Sequence, residues 1–177
     1  MIDLASGAGL SLLDLSELPR SGIKGEDLSS WAVSNAMTIG DASNRAYPQS
    51  DGSLVVRLSP GELLLLADSS KPRDLLAEDE FQASYKCYPV RRRDSHYWFS
   101  LCGEQSSEMF AKLCAVDLSA KSFANHSVAQ TSVARSSAII IRHDAGDRKH
   151  YYLLGDSSMA QYMLSCLNDA MAEYCDE

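Results

Sequence analysis

At 177 residues the chain can bury one good core or two small lobes, and 45% hydrophobic with 23% charged residues is ordinary for a globular domain. A formal net charge of −8, spread along the chain, repels phosphate backbones and argues against nucleic acid as a partner. No apolar run reaches the length of a membrane span, Asp3 stands where a secretory signal is basic, and Asp14 interrupts the aliphatic residues 10–15, so neither membrane anchor nor export signal is expected. The five cysteines (Cys87, Cys102, Cys114, Cys166, Cys175) form no CxxC and read as buried, reduced thiols of a cytoplasmic protein.

In chain order, residues 10–15 predict a short edge strand, and Pro19, Ser21 and Gly22 a turn. Gly25 precedes a helix over residues 26–35 with an acidic first turn and Trp31 as its core residue. Residues 40–52 are polar and read as a loop. Leu54-Val55-Val56-Arg57-Leu58 and Leu63-Leu64-Leu65-Leu66-Ala67 predict a hairpin closed by Ser59-Pro60-Gly61-Glu62, where adjacent Pro and Gly suit a type II turn. A helix follows from near Pro72 to Tyr85, with proline tolerated in its first turn. Residues 88–94 (YPVRRRD) read as a bridge between halves.

The organising stretch is residues 98–114, WFSLCGEQSSEMFAKLC. Trp98, Phe99 and Leu101 mark a strand, Gly103 a sharp turn, and Met109, Phe110, Leu113 and Cys114 the apolar stripe of a helix. Residues 117–125 form a loop. Residues 127–134, the β-branched 138–142 and 150–154 are strands, with a turn over 144–147. A last helix over 158–174 carries Tyr162, Met163, Cys166, Leu167, Ala170 and Met171 on one face.

The two halves share an order: strand, Gly-Glu, helix, polar loop, two strands, Asp-Ser-Ser, helix. The closest match sets Leu65-Leu66-Ala67-Asp68-Ser69-Ser70 against Leu153-Leu154-Gly155-Asp156-Ser157-Ser158, where Asp or Ser caps a helix. This predicts an α+β protein of two tandem strand-helix-strand-strand-helix, ferredoxin-like halves with antiparallel sheets. The halves are residues 1–87 and 88–177, joined in one compact unit.

Catalytic signatures are scarce. There is no GxGxxG, P-loop, HExxH or Gly-x-Ser-x-Gly elbow, and Gly7-Ala8-Gly9 precedes a strand rather than following one. His143 and His150 flank a turn with Asp144 and Asp147, but nothing fixes them for a metal, so solvated hairpin ends are the simpler reading. Cys102 lies in a strand and Cys114 and Cys166 on apolar faces, without the basic surroundings that activate a thiol, and Cys175, near the end, reads as an exposed bystander. Asp27 and Asp117 read as helix or turn caps. Arg91-Arg92-Arg93 is the one basic run, too short for nucleic acid. It is either a solvated linker or a contact for an acidic partner surface. No catalytic, cofactor-binding or metal-binding residue is assigned.

Three stretches carry a resemblance. Arg57-Leu58-Ser59-Pro60-Gly61-Glu62-Leu63-Leu64-Leu65 resembles the Arg-Leu-Gly-Pro-x-Glu-Trp-Leu-Leu strand–turn–strand of the gamma subunit of heterotetrameric sarcosine oxidase, with Ser59 for a usual glycine and Leu63 for a usual tryptophan. Residues 101–118 resemble its Leu-x-Gly … Leu-Ala … Asp-Leu segment through Gly103, Leu113, Asp117 and Leu118. Phe123, Ala129-Gln130-Thr131 and Ile139-Ile140-Ile141-Arg142 resemble its Phe … Ala-Gln-Thr … strand. The resemblance implies a fold related to the folate-binding aminomethyltransferase of the glycine cleavage system. It also implies a cytoplasmic bacterial complex with alpha, beta and delta subunits. That complex oxidises sarcosine to glycine, with hydrogen peroxide and 5,10-methylenetetrahydrofolate. FAD, FMN, NAD and tetrahydrofolate would sit on the partner subunits, and this chain would bind none and catalyse nothing by itself. A related N-methyl amino acid dehydrogenase, or a stand-alone tetrahydrofolate-binding one-carbon protein, are the alternatives.

Overall fold

A computed structural model describes residues 2–7, 9–67 and 84–174. In chain order come β1 (Ile2–Gly7), β2 (Leu10–Asp14), β3 (Arg20–Gly25), α1 (Leu28–Ser34), β4 (Arg45–Pro48), β5 (Leu54–Ser59), β6 (Glu62–Leu66) and β7 (Cys87–Arg91). β8 (His96–Cys102), α2 (Ser106–Ala111), β9 (Val128–Val133), β10 (Ser136–Arg142), β11 (His150–Asp156) and α3 (Ala160–Met171) follow. The helix expected near Pro72, with its Asp-Ser-Ser start, falls on residues 68–83, outside the described residues, as does Cys175. The architecture is α+β, with two antiparallel sheets ordered β4-β5-β6-β3-β7 and β1-β2-β8-β11-β10-β9. Among the described residues no helix is long and apolar enough to cross a membrane.

Two compact units result. The first is Leu18–Asp94, and the second is Met1–Glu17 together with Ser95–Glu177. In the first, Ile23, Val55, Leu63, Leu65 and Cys87 from the sheet pack with Leu28, Trp31 and Ala32 of α1. In the second, Leu10, Leu12, Leu101, Ile140, Tyr151 and Leu153 pack with Met109 and Phe110 of α2 and Met163, Leu167, Ala170 and Met171 of α3. The stripe expected on α3 is narrower than read: Tyr162 is exposed and Cys166 half-buried.

The duplication is visible atom by atom. The Gly25 N–H donates to Gly61 O at 3.1 Å, and the Gly103 N–H to Lys149 O at 3.0 Å. Gly25 closes β3 and Gly103 directly follows β8, both at positive φ, +150° and +142°. With these two superposed, Val55 corresponds to Ile140, Arg57 to Arg142, Leu63 to Tyr151 and Leu65 to Leu153, all by ladder register. Trp31 and Ala32 in the first unit face the roles of Met109 and Phe110 in the second, a large–small pair exchanged for a medium–large one.

The strand on the outer side of β3 and of β8 comes from different places. β7 pairs with β3 in the first unit, and β2 pairs with β8 in the second. Residues 10–14, expected as an edge, therefore lie between β1 and β8. The turn expected at Ser21 and Gly22 is instead the middle of β3, since Gly22 pairs with both Leu64 and Val90. A Cβ there would stand 3.1 Å from Leu63 O, so the glycine serves close strand approach, not a bend. Gly61 does not take the positive φ of a type II turn; the hairpin closes with its N–H on Ser59 Oγ at 3.2 Å and a register shift between Arg57 and Ser59.

Among the described residues β7 ends its sheet, where β2 carries β1. Gly25 turns its N–H toward β6 and Glu26 toward Lys86, so strand alternation points Cys87, Pro89 and Arg91 at the open edge. Proline has no N–H to offer there, while Leu12, its counterpart in β2, pairs with Ala5 of β1. Pro89 thus blunts this edge against further pairing. Pro89→Val is expected to show concentration-dependent self-association by analytical ultracentrifugation that the parent chain lacks.

Candidate functional site

One end of the second sheet gathers polar side chains. Arg142, the last residue of β10, is 7% exposed. Its Nε donates to both Asp144 oxygens at 3.0 and 3.1 Å, Nη2 to Oδ2 at 2.7 Å, and Nη1 to Phe123 O at 2.7 Å. Asn125 Oδ1 accepts from the N–H groups of Asp144 (3.0 Å) and His126 (2.9 Å), tying the loop before β9 to the β10–β11 turn. Around this staple lie three imidazoles. The His126 and His143 rings are 5.5 Å apart, His143 is 5.8 Å from the Tyr152 ring, and His150 is 4.8 Å from it. Trp98 meets Tyr152 edge-on at 5.2 Å.

The sequence links His143, His150, Asp144 and Asp147, and the structure brings the first three together while leaving Asp147 exposed on the turn. His143 and His150 are half-buried, not solvated as expected. His126, Tyr152 and Ser100 are members that sequence reasoning missed. His126 joins from a separate loop through backbone at φ +66°, which no spacing rule signals.

Burial pushes the His150 imidazole down to about 4, helped by neighbouring His143. Burial and His126 likewise lower His143, whose Nδ1 is buried with no partner. Burial works to raise Asp144, but the Arg142 guanidinium and the His150 N–H hold it below the usual carboxylate range. Ser100 Oγ sits in hydrogen-bond contact with His150 Nε2, superficially a nucleophile and base. Ser100 is 1% exposed in mid-strand, so no substrate carbonyl reaches that hydroxyl, and Asp144 accepts from the His150 backbone rather than orienting its ring. Among the described residues no group of three or more His, Cys, Asp or Glu is arranged to hold a metal.

The arginine run divides by role. Arg91 and Arg93 are exposed. Arg92 is ion-paired with Glu62, itself 3.3 Å from Lys24 Nζ, and Arg93 O accepts from Arg20 Nη2 at 2.6 Å. The stretch is not a linker but strand β7 and its exit. Asp27 caps no N–H of α1; its carboxylate accepts from Lys86 N at 2.8 Å and so anchors the entry to β7. Asp117 does hold a turn, accepting from Ser119 N at 2.9 Å. Asp156 accepts from Ser158 N at 2.9 Å, the cap expected at the last helix. Cys87 and Cys114 are buried and Cys102 and Cys166 half-buried, all as free thiols; burial, then Asp27, pushes the Cys87 thiol up.

No protein-family model matches the chain, and no curated protein matches its sequence. Solved structures do. A chain of the heterotetrameric sarcosine oxidase from Corynebacterium sp. U-96, in complex with pyrrole 2-carboxylate, is similar with a TM-score of 0.79 at 19% identity, over 99% of this chain and 90% of that one. Glycine cleavage system aminomethyltransferase T from Bartonella henselae is similar with a TM-score of 0.68 at 13% identity, over 92% of this chain but only 46% of that one. The fold is therefore that shared by these sarcosine oxidase and aminomethyltransferase chains.

Proposed function

We infer that this chain is the gamma-type subunit of a sarcosine-oxidase-like complex, bracing a larger folate-binding subunit rather than converting substrate itself. The carrying observation is the extent of the likeness. The chain matches 90% of one sarcosine oxidase chain, while it spans less than half of the aminomethyltransferase. The burial of Ser100 against His150 supports the same reading. In this reading the complex is cytoplasmic, oxidises an N-methyl amino acid, and carries its FAD, FMN, NAD and tetrahydrofolate on the alpha, beta and delta subunits. Arg91 and Arg93, exposed at the exit of β7, contact an acidic surface of the partner. Arg91→Glu with Arg93→Glu is expected to weaken association at least about tenfold, measured by titration of the partner in low salt. Unchanged affinity removes these residues from the interface.

The aminomethyltransferase likeness supports one alternative, a stand-alone one-carbon protein. Isothermal titration with tetrahydrofolate separates them: the subunit reading predicts no binding by the isolated chain, and micromolar binding selects the alternative.

A further inference from the structure

The first sheet carries an aromatic and charged row on the side away from α1. Ile23, Leu63 and Cys87 pack with α1, so strand alternation turns Lys24, Glu62 and Tyr88 to the opposite face. The three stand side by side, because Lys24 pairs with Tyr88 on β7 and with Glu62 on β6. Tyr88 is 58% exposed. A tyrosine ring left in water forgoes the burial through which aromatic side chains stabilise a fold, so its place here is not explained by folding.

Charge in this row is uneven. Glu62 pairs with Arg92, and both side chains are largely buried. The Arg92 side chain reaches Glu62 by crossing Gly22, where a Cβ would come within 3.3 Å of Nε and 3.4 Å of Cγ. Lys24 Nζ is a second cation on the same carboxylate, 3.3 Å from Oε2, and its side chain is 40% exposed. An ammonium has three donors, and the guanidinium already neutralises Glu62, so Lys24 keeps capacity for another carboxylate. Residues 86–94 carry four cations (Lys86, Arg91, Arg92, Arg93) and one carboxylate (Asp94), in a chain whose net charge is −8. An acidic partner surface complements that strip.

We propose, granting the subunit reading, that Tyr88 and Lys24 anchor the larger subunit, the tyrosine ring covering an apolar patch and the ammonium pairing with a carboxylate at its rim. Few residues of an interface hold most of its affinity, and buried aromatic anchors are prominent among them. Exposed charges such as Arg91 and Arg93 steer the encounter and set the association rate. The ring, once desolvated, sets the dissociation rate.

Surface plasmon resonance of the full chain over the immobilised, purified large subunit tests this. Tyr88→Ala is expected to dissociate at least about thirtyfold faster, with little change in association rate. Tyr88→Phe keeps the ring and should match the parent within about threefold. Lys24→Met should weaken binding about tenfold in low salt and less in high salt. Val33→Ala is the control, since Val33 is 72% exposed but lies on α1, across the sheet, and should bind as the parent does. Parent-like dissociation of Tyr88→Ala overturns the proposal and leaves the subunit reading standing, and so does an equal loss in Val33→Ala. A parent chain that does not bind the large subunit overturns both. If Tyr88→Ala does not fold, Lys24→Met decides, and unchanged affinity in low salt overturns the proposal.

Discussion

Gly103→Ala is expected to abolish folding of the second unit. A Cβ on Gly103 would overlap the carbonyl oxygen of Gly9, just before β2, and φ of +142° is closed to L side chains. Neither partner has room to give, because the offending atoms are backbone. The cost exceeds about 4 kcal/mol, the range reached only when a specific structural device is destroyed. It is a large part of the roughly 5–15 kcal/mol that holds a domain together. Gly25→Ala should act the same way in the first unit, where the Cβ would overlap Lys86 O and Cys87. Gly146→Ala is the control. That glycine also has positive φ, +62°, but nothing lies within 4 Å of a Cβ, so only the local strain of about 1 kcal/mol remains. Thermal unfolding by circular dichroism separates these: loss of the folded signal for Gly103→Ala, and a shift of a few degrees for Gly146→Ala. A Gly103→Ala chain that melts like the parent would mean that the β2–β8 junction is not as tight as described.

Arg142→Met is the second large effect, and its size is set by contrast with Arg57→Met. The two arginines occupy equivalent ladder positions, are about equally buried at 7% and 6%, and each donates Nη1 to a loop carbonyl, Phe123 O or Gly40 O. Their carboxylates differ. Asp144 is 14% exposed and loses three contacts if Arg142 goes, leaving a mostly buried, uncompensated charge. Breaking one side of such a pair costs about 3–5 kcal/mol. Asp41 is fully exposed and 3.6 Å from Arg57, so water screens that pair and its loss costs little. Arg57→Met forfeits mainly the hydrogen bonds to Gly40 O and Ser29 Oγ, about 1–2 kcal/mol. Urea unfolding of both variants should show a gap of about 2 kcal/mol or more. Equal losses would show that the loop carbonyl, not the carboxylate, is what matters.

These effects also explain which parts of the fold were legible in sequence. The β5–β6 hairpin and the β8–α2 unit announced themselves because β-branched, aromatic and aliphatic residues crowd strands that are buried at successive positions. β4 and β7 did not: RAYP and CYPVR are short edge strands, each containing a proline that a central strand would exclude. β3 looked like a turn because Ser21 and Gly22 serve a tight strand approach, which local propensity reads as a break. Nothing in residue spacing tells that β2, rather than a strand following α3, completes the second sheet, because that choice is made by long-range pairing. The same holds for the histidine cluster. His143 and His150 are neighbours across a hairpin and visible as such, while His126 arrives on the loop before β9 and Ser100 on β8.

The subunit role is tested most directly by purifying the tagged chain from its native host and assaying the eluted species. The expected result is a stoichiometric assembly far larger than the 19.3 kDa chain, with flavin absorbance and sarcosine-dependent release of hydrogen peroxide that the isolated chain lacks. A chain that elutes alone, without flavoprotein, or that by itself oxidises an N-methyl amine, contradicts it.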